Sequence, residues 1–252
     1  MVVEHQAIQL HSVTNEYVPQ YPLLSLQEVQ ATFQRKRTEW ESSGACQELI
    51  STLRSAAIPN VKNIVAFACF NMSDCAMAER SACQHALILI LRQFFAKQQH
   101  ITEGDIPCFA QDPLYEDVDK KVLADAGISA LENPRAFLVV DDTSLVISIS
   151  PEAPIRQIIA DIAQPAVMIW NRVEEAQRGA ELIGQTEWCG PLFKCSNVSD
   201  VLTYFCLLSE DNISPRVEDM VRQHYAELSF PVDQEHFGSR ISLYIRNTRS
   251  HQ

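Results

Sequence analysis

Between residues 63 and 173, short apolar runs alternate with longer segments of helical period. Residues 63–70 (NIVAFACF) form a run of strand length. After a polar break at Asn71, Ser73 and Asp74 comes 76–97, an Ala/Leu/Ile-rich stretch without Gly or Pro. Residues 106–110 (IPCFA), the polar elbow 111–113 (QDP) and the amphipathic stretch 114–126 follow. The runs 137–140 (FLVV) and 145–149 (LVISI), a helical 154–162 and the run 166–170 (AVMIW) complete the series. This alternation predicts an α/β fold, a Rossmann-like and mainly parallel sheet covered by helices. Ligands of such folds sit beyond the carboxyl ends of the strands. The expected working edge therefore holds residues 71–74, 111–115, 148–152 and 171–172.

The flanks read as N-terminal helical and C-terminal extensions of one domain, 25–252, after an irregular segment, 1–24. The spacing SLQE at 25–28 starts a helix that Gly44 can end, and a second helix, 45–57, stops before Pro59. Beyond Val173 the pattern predicts helix over 174–182, loop over 184–195, and an apolar helix over 201–208. A further helix begins at Pro215 and ends near Glu227. The alternation of 240–246 (RISLYIR) suggests a partly exposed edge strand.

With 252 residues and 46% hydrophobic content the chain can bury one large core. No apolar run reaches the length of a membrane span, and the N-terminus lacks the basic start and apolar centre of a secretory signal. A cytoplasmic protein without a membrane partner is expected, and its eight cysteines, none in a C-x-x-C pair, are expected to be reduced. No Cys or His spacing suggests a metal site. The net charge of −12 argues against a generic nucleic-acid binder, which would be basic. One basic cluster, Arg35, Lys36 and Arg37, is either a phosphate-attracting patch or the solvated face of a helix.

The turn after the first run carries no glycine, so close approach of a pyrophosphate, and with it a dinucleotide site, is disfavoured. Asn71 and Ser73 are placed to hold a carboxylate or phosphate, the alternative being that Asp74 or Ser73 caps the next helix. In the segment 111–119, Asp112 suits a turn or a helix cap, whereas Tyr115, Glu116 and Asp119 are suited to binding a cation. Asp141 and Asp142 lie between two apolar runs, as a local turn or as a pair for acid/base work. Ser150 marks a strand end and becomes a nucleophile only beside a base. Asn171 ends the last apolar run. The histidines at 5, 85, 100, 224, 236 and 251 fall away from the predicted strand tips, and His11 is N-terminal.

These blocks, in this order, resemble the SRR-like domain in its fungal form. The matching pieces are 63–70, 80–87 (RSACQHAL), 110–120 (AQDPLYEDVDK), 137–144 (FLVVDDTS), 150–154 (SPEAP) and 168–172 (MIWNR), with Phe237-Gly238 and 244–246 (YIR) near the end. Many members have a glycine-rich first turn, and here 68–71 (ACFN) stands in its place. Similar fungal proteins include the arginine-containing cyclodipeptide synthases. That resemblance implies joining arginine from arginyl-tRNA to a second residue from another aminoacyl-tRNA, in secondary metabolism. It implies a D-D-x-x-E acidic motif, of which 141–145 (DDTSL) lacks the closing Glu. On this reading Asp141, Asp142 and Ser150 are catalytic. Asn71, Ser73, Asp112, Tyr115, Glu116 and Asn171 bind substrate, and Arg35, Lys36 and Arg37 meet tRNA. The ester is already activated, so no cofactor is required. Other readings are a non-catalytic regulatory protein, linked to circadian or haem control, and a small-molecule enzyme without tRNA.

Overall fold

The computed structural model describes residues 22–151, 153–173, 186–191, 204–208, 211, 214–233, 235–238 and 240–248. Helix α1 (Leu26–Glu41) opens with a capping box between Ser25 and Glu28, and buries Val29, Phe33, Lys36 and Trp40 on one stripe. Gly44 does not end it. Ser42 closes α1, and Ser43 caps α2 (Gly44–Ser55) by accepting from the Cys46 N–H at 3.1 Å. The central series is β1 (Asn63–Phe67), α3 (Ala78–Gln99), β2 (Cys108–Gln111), α4 (Asp117–Asp125), β3 (Ile128–Ala130), α5 (Arg135–Leu138), β4 (Ser144–Ser148), α6 (Ile155–Ile162) and β5 (Val167–Asn171). A hairpin of β6 (Thr186–Pro191) and β7 (Tyr204–Leu208) precedes α7 (Pro215–His224), β8 (Tyr225–Ser229) and β9 (Ile241–Arg246).

The main sheet has seven strands in the order β3-β2-β1-β4-β5-β9-β8. The first five are parallel, and β9 then runs antiparallel to both β5 and β8. One face packs Ile64, Ala66, Leu145, Ile147 and Ile169 against helices α1 to α3. The other packs Val65, Phe67, Val146, Met168 and Trp170 against α5, α6 and α7. From β1 the chain steps outward to β2 and β3, then returns to lay β4 on the opposite flank of β1. Strand order therefore reverses between β1 and β4, where crevices form in open α/β sheets.

Four of the five central apolar runs are strands. The run 137–140 is not: it forms α5 and the residues just after it, and the place beside β1 belongs to β4. Its apolar side chains cover the sheet instead, with the Phe137 ring stacked on Phe67 at 4.6 Å. Strand β3 was invisible in the pattern because it is three residues long and only Ile128 is buried. Residues 204–208 are strand rather than helix, and 186–191, expected as loop, pairs with them. The helix from Pro215 stops at His224, so that β8 takes the sheet edge and β9, expected at that edge, is internal with five of six residues buried. The expected helix over 174–182 and most of the irregular N-terminal segment lie outside the described residues.

Ala68 and Phe70 adopt left-handed backbone, with φ of 56° and 61°. An L-residue there costs about 1–2 kcal/mol, because Cβ crowds the following carbonyl. Ala68→Gly should therefore raise stability, by about 0.5–1 kcal/mol after the extra chain entropy of glycine is subtracted. Urea denaturation of the two proteins checks the sign.

Candidate functional site

The loop leaving β1 holds its left-handed form through contacts with the β2 elbow and α3. The Ala68 N–H donates to the Gln111 carbonyl at 3.1 Å, and the Phe70 N–H to Asp112 Oδ2 at 2.7 Å. Asp112 Oδ1 accepts from the Leu114 N–H at 2.9 Å, and the Ser81 hydroxyl donates to the Phe70 carbonyl at 2.8 Å. Asp112 thus clamps two loops together.

Beside it, Asp119 is fully buried and accepts the Ser73 N–H at 2.9 Å, the Ser73 hydroxyl at 2.7 Å and the Glu116 N–H at 3.0 Å. Burial raises its carboxyl above the ordinary range, against the pull of these donors. Glu116, half-buried, is the N-cap of α4, and its side chain accepts from the Asp119 N–H in return. Ser73 and Glu116 are therefore engaged with Asp119, whose carboxylate serves these donors rather than a cation.

Tyr115 reaches His85 Nε2 through its hydroxyl at 2.6 Å, while His85 Nδ1 lies 2.8 Å from the Ser81 carbonyl. A carbonyl only accepts, so Nδ1 carries the proton and Tyr115 donates to Nε2. His85 thus stands against the β2 elbow, contrary to the expectation that it lies away from strand tips. Burial pushes its imidazole down to about 4 and raises the Tyr115 phenol.

At the ends of β4 and β5, Ser150 also takes a positive φ, 51°. Asn171 holds it twice: the Ser150 N–H donates to Oδ1 at 2.6 Å, and Nδ2 donates to the Ser150 hydroxyl oxygen at 3.1 Å. The Ser150 hydroxyl proton has no acceptor among the described residues. Asn71 is 1% exposed, and its Oδ1 has no partner among the described residues. The Ser148 hydroxyl, in register with Phe67 and Trp170, is likewise buried without a partner there. A cavity of about 180 Å³ opens next to β2 and β3, lined by Asp112, Tyr115, Lys120, Glu132 and Asn133 among others.

The structure brings Asn71, Ser73, Asp112, Tyr115, Glu116, Ser150 and Asn171 to the carboxyl edge of the sheet. Asp141 and Asp142 are not with them. They precede β4, so they lie at its amino end, the length of the strand from Ser150. Asp141 accepts from the Thr143 N–H and hydroxyl, each at 2.7 Å, and from Ser144, which holds its carboxyl below the ordinary range once burial is offset. Asp142 accepts from the Gln164 N–H at 2.9 Å and faces Arg246 at 3.5 Å. The pair forms a turn, and the expected grouping with Ser150 is corrected accordingly.

The basic cluster is also committed elsewhere. Arg35 pairs with Glu79 at 2.8 Å and Glu39 at 3.2 Å, and Arg37 with Glu41 at 3.1 Å. Lys36 is 6% exposed and sits between Glu79 at 2.8 Å and Glu39 at 3.2 Å. Among the described residues no group of three or more His, Cys, Asp or Glu is placed to hold a metal, and no helix is long and apolar enough to cross a membrane. Cys46, Cys69, Cys83 and Cys108 are free and buried, and Cys75 is half-buried.

A mostly parallel sheet between helical layers, with buried polar groups at the carboxyl ends of its inner strands, defines an α/β protein. The sequence matches the SRR1 domain over residues 29–232, and the chain belongs to that family. No curated protein matches it.

His85 gives this site a pH dependence. Its imidazole is buried neutral, so the unfolded chain binds the extra proton. The stability it contributes is present above 6.5 and is lost as pH falls toward about 4. The shift corresponds to about 3 kcal/mol. Urea denaturation at pH 7 and pH 4.5 should show His85→Gln losing less stability on acidification than the wild type.

Proposed function

We propose that the chain converts a small polar ligand in the crevice at the carboxyl ends of β1, β4 and β5, on a Rossmann-like arrangement of the sheet. The reaction assigned to it is tRNA-dependent cyclodipeptide synthesis in the cytoplasm, with arginine as one partner and arginyl-tRNA and a second aminoacyl-tRNA as donors. The crevice reading rests on one observation: Asn71 Oδ1 and Ser148 Oγ are buried without partners among the described residues at the reversal of strand order. Each such group costs about 1–3 kcal/mol, a term folds retain where a ligand completes the bond. The reaction itself rests on the resemblance of the sequence blocks.

Such chemistry asks little of the protein beyond placement. The amine of one aminoacyl group attacks the ester carbonyl of the other, the amide bond forms, and the ribose oxygen leaves with the proton. A second transfer closes the ring. Asn71 Oδ1 is an acceptor for the incoming N–H, and the Ser150 hydroxyl is a donor for the carbonyl oxygen, its rotamer fixed by Asn171.

A reading without tRNA, as a regulatory protein or a small-molecule enzyme, is favoured by the internal pairing of Arg35, Lys36 and Arg37. Expression in a heterologous host, with mass spectrometry of the medium, separates the two. An arginine-containing diketopiperazine is expected, reduced at least about tenfold by Ser150→Ala or Asn71→Ala, the scale of one lost hydrogen bond of about 1.5 kcal/mol. Asp142→Asn should leave the yield unchanged, since it lies at the opposite edge. Absence of any new diketopiperazine from the wild-type culture would favour the tRNA-free reading.

A further inference from the structure

Strand β8 runs parallel to β5, because both are antiparallel to β9. The loop after β8 therefore emerges at the same edge as Ser150 and Asn171, and Ile241, which follows it, pairs with Asn171. This loop carries His236, a histidine that sequence pattern places away from the strand tips. Asp233 grips it, with both carboxylate oxygens 3.0 Å from Nδ1 and the His236 N–H donating to Oδ1 at 3.0 Å. The Trp40 indole N–H donates to Oδ2 at 3.2 Å, and the Phe237 and Gly238 N–H groups donate to the Asp233 carbonyl. Phe237, packed edge-on to Trp40 at 5.3 Å, anchors the loop on the side of the sheet covered by α1 and α3. Alternation along β5 puts Asn171 on that same side, since Ile169 packs there and Trp170 does not.

The neighbouring charges are Lys36 and Glu39 of α1, and Glu79 on α3 beside the Cys83 thiol, which burial pushes up to about 12. Lys36 is tied to both glutamates, so Asp233 is the carboxylate that serves the imidazole. Contacts from His236 hold the Asp233 carboxyl below its ordinary range, though burial acts against them. An ionised carboxylate at Nδ1 fixes the neutral tautomer with its lone pair on Nε2. The side chain is 14% exposed, and Nε2 is covered without a partner among the described residues. A carboxylate-oriented imidazole with an unused nitrogen is the arrangement of a general base.

We infer that His236 is the proton-transfer residue of the strand-end site and Asp233 its positioning residue, an assignment that rests on the crevice being the site of acyl transfer. His236 Nε2 takes the proton from the attacking amine as the N–C bond forms. It returns that proton to the ribose oxygen as the ester C–O bond breaks.

An amino-acid p-nitrophenyl ester is the probe, its hydrolysis by water followed as released p-nitrophenolate. Wild-type protein should accelerate release, and His236→Ala should lower the enzymatic rate about 100-fold, within the usual range for a lost acid–base group. Added imidazole should restore part of that loss in His236→Ala but not in Asp233→Asn, which keeps its imidazole in the wrong tautomer. His236→Gln, which can keep the bond to Asp233, should be folded and equally slow. No acceleration by the wild type, full activity in His236→Gln, or no rescue by imidazole in folded His236→Ala overturns the assignment. If cyclic dipeptide still forms in the expression assay in any of these cases, the proposed reaction stands and its base lies elsewhere.

Discussion

Both oxygens of Asp112 are used on backbone N–H groups, those of Phe70 and Leu114. The β1 side of the carboxyl edge depends on that clamp. It fixes the β1 loop in left-handed conformations at Ala68 and Phe70 without a glycine, and places Asn71 and Ser73 against α4. One carboxyl oxygen on each of two amides holds both loops, and the loop's strain is of the size such bonds can offset. The Cβ atoms it tolerates also narrow the approach a pyrophosphate would need, so the crevice suits ligands contacted through side chains.

The sheet has two chemically different edges. Around the carboxyl ends lie buried polar groups, some engaged with the protein (Asp112, Asp119, Tyr115) and some atoms without partners among the described residues (Asn71 Oδ1, Ser148 Oγ). At the amino end of β4, Asp141 accepts from local donors in a turn, as turn aspartates commonly do, and Asp142 accepts from the Gln164 N–H. The helical layer contributes ion pairs rather than a phosphate track. Lys36, buried between Glu39 and Glu79, ties α1 to α3 and supports the packing above the crevice.

Four inner strands were legible because their short apolar runs, bounded by polar turns, are of a length and burial that suits a covered sheet. Most of the site followed from them, since Asn71, Asp112, Ser150 and Asn171 sit just past or at those strand ends. The failures share one cause. Taking 137–140 as a strand put Asp141 and Asp142 between two sheet elements, whereas α5 leaves them in a turn at the far edge. Reading helix through to Glu227 hid β8, and with it the loop that carries His236 to the working edge. Neither short segment has a period that separates helix from strand, and tertiary context decided both. Asp119 was legible as a helix residue but not as the acceptor for Ser73, a contact 46 residues away in sequence.

The central claim is that ligand binds at the carboxyl edge, between the β1 loop and the ends of β4 and β5. Its most direct test is a crystal structure with an arginyl-adenosine analogue whose ester is replaced by an amide. The account predicts density for the aminoacyl group within hydrogen-bond distance of Asn71 and Ser150. Density for it against Asp141 and Asp142, at the opposite edge of the sheet, would contradict the account.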